Sequence, residues 1–279
     1  MNYRHSFHAG NFADLHKHFV LSRVLVRLRE KETPFRVLDT HAGVGVYDLT
    51  GEDASRTGEW QSGIGKLWSA ELPGALATLL GPYLDAVRAR NGEGLLRYYP
   101  GSPQVVRHLL RANDRLIACE LQPDTFAALA RLLRSDRRTK AVAIDGWTAL
   151  SAYIPFRERR GLVVVDPPFE QPREFERLSA ALQAAHRKWP TGSYLAWYPI
   201  KEQREVDAFA RSLARSNIAK VLRSELIRGA TPAEGLRGSG LILINPPWKV
   251  PDDLGAALPQ LGQLLEEEQP ALARTDWLT

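Results

Sequence analysis

Gly161-Leu162-Val163-Val164-Val165 runs directly into Asp166-Pro167-Pro168-Phe169, and no other junction constrains the fold as tightly. The apolar, β-branched run reads as a buried strand. Two consecutive prolines cannot continue a hydrogen-bonded ladder, so the chain must leave the sheet at Asp166. A carboxylate, two prolines and an aromatic ring therefore stand at the carboxyl edge of a strand. In open α/β sheets that edge is where ligands bind.

The rest of the chain alternates in keeping with such a sheet. Leu21, Val24, Leu25 and Leu28 fall at helical spacing, and Pro34 follows the stop. Strands are read at Phe35–Leu38, Leu116–Cys119, Ala141–Ile144, Leu162–Val165, Tyr194–Trp197, Ala219–Leu226 and Leu241–Ile244. Helices are read at Asp124–Leu133, Arg173–Lys188 and Glu202–Ser216. This order predicts an α/β fold, a doubly wound, mostly parallel, seven-stranded sheet in a single domain over residues 1–279. Residues 48–97 break the alternation. Ile64, Leu67 and Trp68 make one apolar stripe there, and Leu76, Leu79, Leu80 and Leu84 make another. The stretch reads as an inserted helical subdomain, either a packing lid or a substrate-binding appendage.

Thirty-seven Lys and Arg against 32 Asp and Glu leave a net charge of +5, which permits a polyanionic partner without requiring one. The single cysteine, Cys119, excludes an internal disulfide and a thiolate metal cluster. The opening Met1-Asn2-Tyr3-Arg4-His5 is no signal peptide, and no apolar run reaches membrane-spanning length. A cytoplasmic protein, monomeric and without a membrane partner, is expected.

The ends of successive strands carry the chemistry. Asp39-Thr40-His41-Ala42-Gly43-Val44-Gly45 closes the first strand, and glycines there let backbone approach a ligand closely. The third glycine of a dinucleotide fingerprint is missing. An acid before a short Gly-x-Gly is closer to the S-adenosylmethionine pattern, where no pyrophosphate needs a helix terminus. Glu120 ends the second strand, where an acid can accept both ribose hydroxyls of an adenosine. Asp145-Gly146 ends the third, where an acid can bind an adenine amino group, and Asp166 ends the fourth. Any one of these, taken singly, reads rather as a solvated loop acid. Four in this order point to an adenosine-type cofactor.

The four residues at Asp166 match the set that enzymes methylating an exocyclic amine place around their target. The carboxylate and the Pro167 carbonyl accept hydrogen bonds from the amine, and Phe169 stacks on the base. The plainer reading is a Pro-Pro turn with a packed Phe. Asn245-Pro246-Pro247-Trp248 repeats the pattern after the last strand, in an expected edge hairpin, and that position marks it as structural.

Five of the seven histidines lie within the first 41 residues. His16 and His18 point apart on a helix and no carboxylate set completes a site, so no metal is expected. The polar, aromatic, basic arm suits nucleic acid better. Tyr3 can stack on a base and Arg4 can meet a phosphate.

The opening Tyr3-Arg4-His5-Ser6-Phe7-His8-Ala9-Gly10-Asn11, with Ala13-Asp14 and Lys17-His18, resembles the start of the bacterial 23S ribosomal RNA adenine-N6 methyltransferases of the RlmJ type. Asp39-Thr40-His41-Ala42-Gly43, Arg97 through Pro103, Asp166-Pro167-Pro168, Trp197-Tyr198-Pro199 and Asn245 through Lys249 extend the likeness along the chain. The resemblance implies a class I methyltransferase, Rossmann-like, with an inserted helical subdomain, using S-adenosyl-L-methionine on an adenine of large-subunit rRNA before full subunit assembly. It implies cofactor contacts from His18, His41, Ser102, Glu120, Asp145, Gly146 and Asp166, with Gly43 added by its backbone role. It implies Asp166 as the acid–base residue beside Pro167 and Phe169, and substrate contact from Tyr3. Phe169 stands where Tyr is expected, a change that keeps the stacking face. An amine methyltransferase acting on DNA adenine or on a protein glutamine would share the same four residues.

Overall fold

The computed structural model describes residues 4–92, 94–229, 235–266 and 269–279. After a 3-10 turn at His5–Phe7, helix α1 (Phe12–Arg29) begins at Asn11, whose side-chain oxygen accepts the amides of Ala13 and Asp14. Strand β1 (Arg36–Asp39) and the short β2 (Val46–Asp48) follow. Helices α2 (Glu52–Thr57), α3 (Ile64–Ser69) and α4 (Gly74–Asn91) intervene before β3 (Tyr98–Pro100), which pairs antiparallel with β2. The alternation then runs α5 (Ser102–Leu109), β4 (Arg115–Glu120), α6 (Pro123–Leu133), β5 (Thr139–Ala143), α7 (Gly146–Ala152) and β6 (Gly161–Val165). It continues with α8 (Glu174–Lys188), β7 (Ser193–Ile200), α9 (Gln203–Ala214), β8 (Val221–Ile227), β9 (Gly238–Ile244), α10 (Val250–Leu265) and β10 (Leu272–Trp277).

The main sheet has the order β10-β8-β9-β7-β6-β1-β4-β5. Strands β5, β4, β1, β6 and β7 are parallel, whereas β9 runs antiparallel to both β7 and β8. The doubly wound, mostly parallel α/β class is as read from the sequence, but the sheet has eight strands rather than seven. The added strand, β10, is Leu-Ala-Arg-Thr-Asp-Trp on a partly exposed edge, so it carries no apolar run to read. The β2–β3 ribbon escaped the same way, at three residues a strand.

One face of the sheet is covered by α1, α4, α5, α6 and α10, the other by α7, α8 and α9. Strand β6 is buried throughout, as its uninterrupted apolar run requires. The chain winds outward from β1 through β4 to β5, then returns to β6 on the other side of β1. The direction of winding switches between β1 and β6, so their carboxyl ends border the crevice. Among the described residues no helix is long and apolar enough to cross a membrane.

The second Pro-Pro motif proves to sit elsewhere than the edge hairpin expected for it. Strand β9 is central, between β7 and β8. Because β9 is antiparallel, Ile244 pairs with Tyr194 near the start of β7, and Asn245 emerges at the edge opposite Asp166. There its side-chain amide donates to the carbonyls of Pro190 (2.8 Å) and Gly192 (2.9 Å), and its own carbonyl accepts from Ser193 Oγ. Its φ of 49° is a left-handed conformation that Asn tolerates better than most residues. Asn245→Ala should therefore cost about 1–3 kcal/mol of stability, from two carbonyls left unbonded and a disfavoured backbone. Chemical denaturation checks this, and an unchanged midpoint would show that the lock is idle.

Candidate active site

The carboxyl ends of β1, β4, β5 and β6 open on one cleft of about 1120 Å³. Its walls hold the residues singled out in sequence. His18, His41, Gly43, Ser102, Glu120 and Asp145 line it, with Gly146, Asp166, Pro167, Phe169 and Arg4. Tyr3 lies outside the described residues.

One half is built around β1, β4 and β5. Gly43 and Gly45 take φ of +60° and +83°, conformations that favour glycine. A Cβ on Gly43 would stand 2.4 Å from the Tyr47 hydroxyl. The turn delivers the Gly43 amide to Glu120 Oε2 at 3.1 Å, while Oε1 accepts the Gln122 amide at 2.8 Å. The carboxylate is thereby fixed at the cleft wall, with a lone pair left on each oxygen. Asp145 caps α7, its Oδ1 accepting the amide (2.8 Å) and hydroxyl (3.0 Å) of Thr148, which leaves Oδ2 for a ligand. Gly146 has no room for a side chain, since a Cβ would meet the Thr40 carbonyl at 2.4 Å and the His41 ring at 2.7 Å.

His41 is oriented by Thr40 Oγ1 at 2.8 Å and stands edge-on to Trp147. Burial pulls its ring down to about 4, so it is neutral at pH 7. His18 stacks on Tyr99 with Nδ1 2.8 Å from the Tyr99 hydroxyl, and burial pulls it down to about 3. Beneath the floor, Ser102 Oγ donates to Asp39 Oδ2 at 2.6 Å. Asp39 Oδ1 is buried with no hydrogen-bond partner among the described residues. Burial pushes this carboxyl up to about 7 despite the Ser102 bond, with nearby Asp166 adding to the shift.

The other half forms around the end of β6. Lys17 Nζ, almost wholly buried, lies 2.5 Å from Asp166 Oδ2 and 2.9 Å from Asp14 Oδ1. Asp14 Oδ2 meets His5 Nε2 and the Gly10 amide, each at 2.9 Å. Burial works to raise the Asp14 carboxyl, but His5 and Lys17 outweigh it and hold it well below the usual carboxylate range. Phe169 takes φ of 51°, a strained conformation for an aromatic residue, and its ring stands edge-on to Trp197 at 5.8 Å. Trp197 also lies under Lys17 Nζ, 5.9 Å from its ring centroid. A planar amine donor beside Asp166 would find an acceptor on Oδ1, a fixed backbone turn at Pro167 and aromatic walls.

Lys17, Asp14 and Trp197 were not among the expected site residues. Asp14 and Lys17 are three apart on a helix, and that spacing reads as an ordinary surface pair until their burial is seen. Each of the five N-terminal histidines has a polar partner. His5 meets Asp14, His8 meets Glu59, His16 meets two serines, His18 meets Tyr99 and His41 meets Thr40. No group of three metal-ligating side chains occurs among the described residues.

A family model described as RsmJ, ribosomal RNA large subunit methyltransferase D, RlmJ, matches residues 32–279. Ribosomal RNA large subunit methyltransferase J of Escherichia coli (strain K12) is 38% identical over 280 residues, covering 100% of this chain and 99% of the relative. The protein of that name from Haemophilus influenzae is 36% identical over 282 residues, covering 100% of this chain and 99% of the relative. A crystal structure of protein LPL1258 from Legionella pneumophila superposes with a TM-score of 0.89 at 33% identity, covering 97% of this chain and 98% of that one.

The raised Asp39 carboxyl has a consequence for stability. Folded, it keeps its proton to about pH 7, whereas unfolded it titrates near 4. Between those values the native state binds more protons, so this residue lowers stability as pH rises, by about 1.4 kcal/mol per pH unit at most. The buried histidines act in the opposite direction and are common to wild type and variant. Asp39→Asn should gain stability relative to wild type between pH 4.5 and pH 7.5 in urea unfolding. A difference independent of pH would contradict the assignment.

Proposed function

The chain belongs to the RlmJ family of ribosomal RNA large subunit methyltransferases, and we propose that it transfers a methyl group from S-adenosylmethionine to the N6 amino group of an adenine in large-subunit rRNA. The observation that carries the choice of an amine is Asp166 at the end of β6, held by Lys17 through one oxygen and bordered by Phe169 and Trp197. Residues of the β1–β4–β5 half suit the cofactor. Glu120 offers acceptors for ribose hydroxyls and Asp145 Oδ2 one for the adenine amine, and the Gly43 turn lets backbone come close. His18, His41, Ser102 and Gly146 complete this wall. Bound there, S-adenosylmethionine supplies a methyl group activated by the sulfonium.

The remaining work belongs to the protein. Adenine N6 is a poor nucleophile because its lone pair is delocalised into the ring. Hydrogen bonds from the amine to Asp166 Oδ1 and the Pro167 carbonyl favour a pyramidal nitrogen with its lone pair aimed at the methyl group. Orientation of this kind supplies much of the acceleration. Once methylated the nitrogen is cationic and strongly acidic, and Asp166 takes its proton. The base must first be unstacked, at a few kcal/mol if paired. Stacking on Phe169 returns about 1–3 kcal/mol of that.

We place Tyr3 and Arg4 on the RNA side, and the α2–α4 segment within residues 48–97 as the appendage that meets RNA beyond the target base. A monomeric, cytoplasmic enzyme acting before the subunit is fully assembled fits a site that must receive an extruded base. Methylation of DNA adenine or of a protein glutamine is the competing reading. Labelled S-adenosylmethionine offered with deproteinised rRNA, DNA and protein separates the three, and label only in DNA or protein would overturn the assignment.

Asp166→Ala should fold and lose about 10²–10⁴ in turnover. A folded variant with near wild-type turnover would remove Asp166 from the chemistry. Arg4→Ala should weaken RNA binding and flatten its dependence on salt by about one phosphate contact, while calorimetric affinity for S-adenosylmethionine stays near wild type. Tyr3→Ala should lower turnover on RNA with the same cofactor affinity. Unaltered RNA binding and turnover in both would restrict the arm to packing.

A further inference from the structure

His16, Ser224 and Ser239 are fully buried, yet all three are polar. They belong to α1, β8 and β9, and none lines the cleft. Ser239 Oγ lies 3.0 Å from His16 Nδ1, and Ser224 Oγ lies 2.9 Å from His16 Nε2. Trp197 Nε1 donates to the same Ser239 Oγ at 3.0 Å. An indole N–H can only donate, so Ser239 accepts from Trp197 at its oxygen. Burial drops the His16 ring to about 3, so it is neutral at pH 7 and one ring nitrogen donates while the other accepts. Trp197, Ser239, His16 and Ser224 thus form one continuous hydrogen-bonded chain.

Trp197 is the cleft end of that chain. Its ring backs Phe169 edge-on and lies under Lys17, the residue that holds Asp166. A tilt of the indole would move both the stacking ring and the cation. We propose that Ser239 and His16 are positioning residues for methyl transfer, fixing the Trp197 ring through its N–H and so setting the slot between Phe169 and Asp166. A buried polar chain is costly to assemble in an apolar layer, and it gains orientation that an apolar contact cannot give. The inference rests on the methyl-transfer reading of the cleft.

A double-mutant cycle tests it. Ser239→Ala and Trp197→Phe each remove the bond from one side, and Phe keeps an aromatic wall. Each alone should lower kcat on rRNA by about tenfold, the loss of one buried hydrogen bond in the reacting geometry. Affinity for S-adenosylmethionine should be unchanged. The double variant should be no slower than the worse single one, because the bond can be lost only once. Ser239→Thr retains the hydroxyl and should restore most of kcat. Ser224→Ala, at the far end, should cost less than Ser239→Ala. Losses that multiply in the double variant, or a Ser239→Ala protein that melts lower but turns over at the wild-type rate, would overturn the proposal. If Ser239→Ala does not fold, a Ser239→Thr protein as slow as Trp197→Phe does so instead. Absence of turnover in the wild type would overturn both this proposal and the function beneath it, whereas multiplicative losses in an active enzyme overturn this one alone.

Discussion

A buried ion pair between Lys17 and Asp166 ties the first helix to the end of the central strand, and much of the remaining architecture follows from accommodating it. Lys17 is enclosed, with its charge answered by Asp166 on one side and Asp14 on the other. Removing one member of such a cluster leaves an uncompensated charge, at about 3–5 kcal/mol. Asp14 is in turn satisfied by His5 and the Gly10 amide, which folds the N-terminal arm back over the start of α1. Consecutive residues of α1 are spent in three directions. His16 goes to the serines of β8 and β9, Lys17 to the end of β6, and His18 to the tyrosines behind the cleft. A helix with so many polar contacts is buried on nearly all sides, and its sequence shows little of the one-sided apolar stripe of a surface helix.

The same burial sorts the charges of the cleft. His18 and His41 are enclosed deeply enough to lose their protons, so the cation beside Asp166 is the Lys17 ammonium rather than an imidazolium. The β1–β4–β5 half presents the carboxylates of Glu120 and Asp145, which suit a cofactor rich in hydroxyl and amine groups. Both carboxylates are already bound by local amides, Glu120 by Gly43 and Gln122 and Asp145 by Thr148, so they are held in place before any ligand arrives. Preorganised groups of this kind do not have to be reoriented as charge moves.

Strand direction distinguishes the two Pro-Pro motifs. Both follow apolar strands and both begin with a side chain whose oxygen is able to accept from an amine. Strand β6 runs parallel to its neighbours and delivers Asp166 to the crevice, whereas β9 runs antiparallel and delivers Asn245 to the far edge. At that edge Asn245 uses its amide on the carbonyls of Pro190 and Gly192. Similar local sequences thus line the cleft in one place and bond to backbone carbonyls at the far edge in the other. Composition and spacing carry no information about strand polarity, which depends on the connection that precedes the strand.

The doubly wound class, the strand ends bearing Asp39, Glu120, Asp145 and Asp166, and the Pro-Pro exit from β6 were legible in the sequence. They depend on short-range rules: apolar β-branched runs, turn residues at their ends, and prolines that cannot stay in a ladder. Strand β10 and the β2–β3 ribbon were not legible, because an edge strand has only one neighbour and need not be apolar. Nor was the role of Lys17, Asp14, His16 or Ser239. Each looks like an ordinary polar residue on a helix or strand, and only the packing of α1 against β6, β8 and β9 turns it into a buried partner. A residue's local sequence sets which element it joins. Whether its polar atoms face water or another buried group is decided by elements far along the chain, 223 positions away for His16 and Ser239, and therefore by the tertiary structure alone.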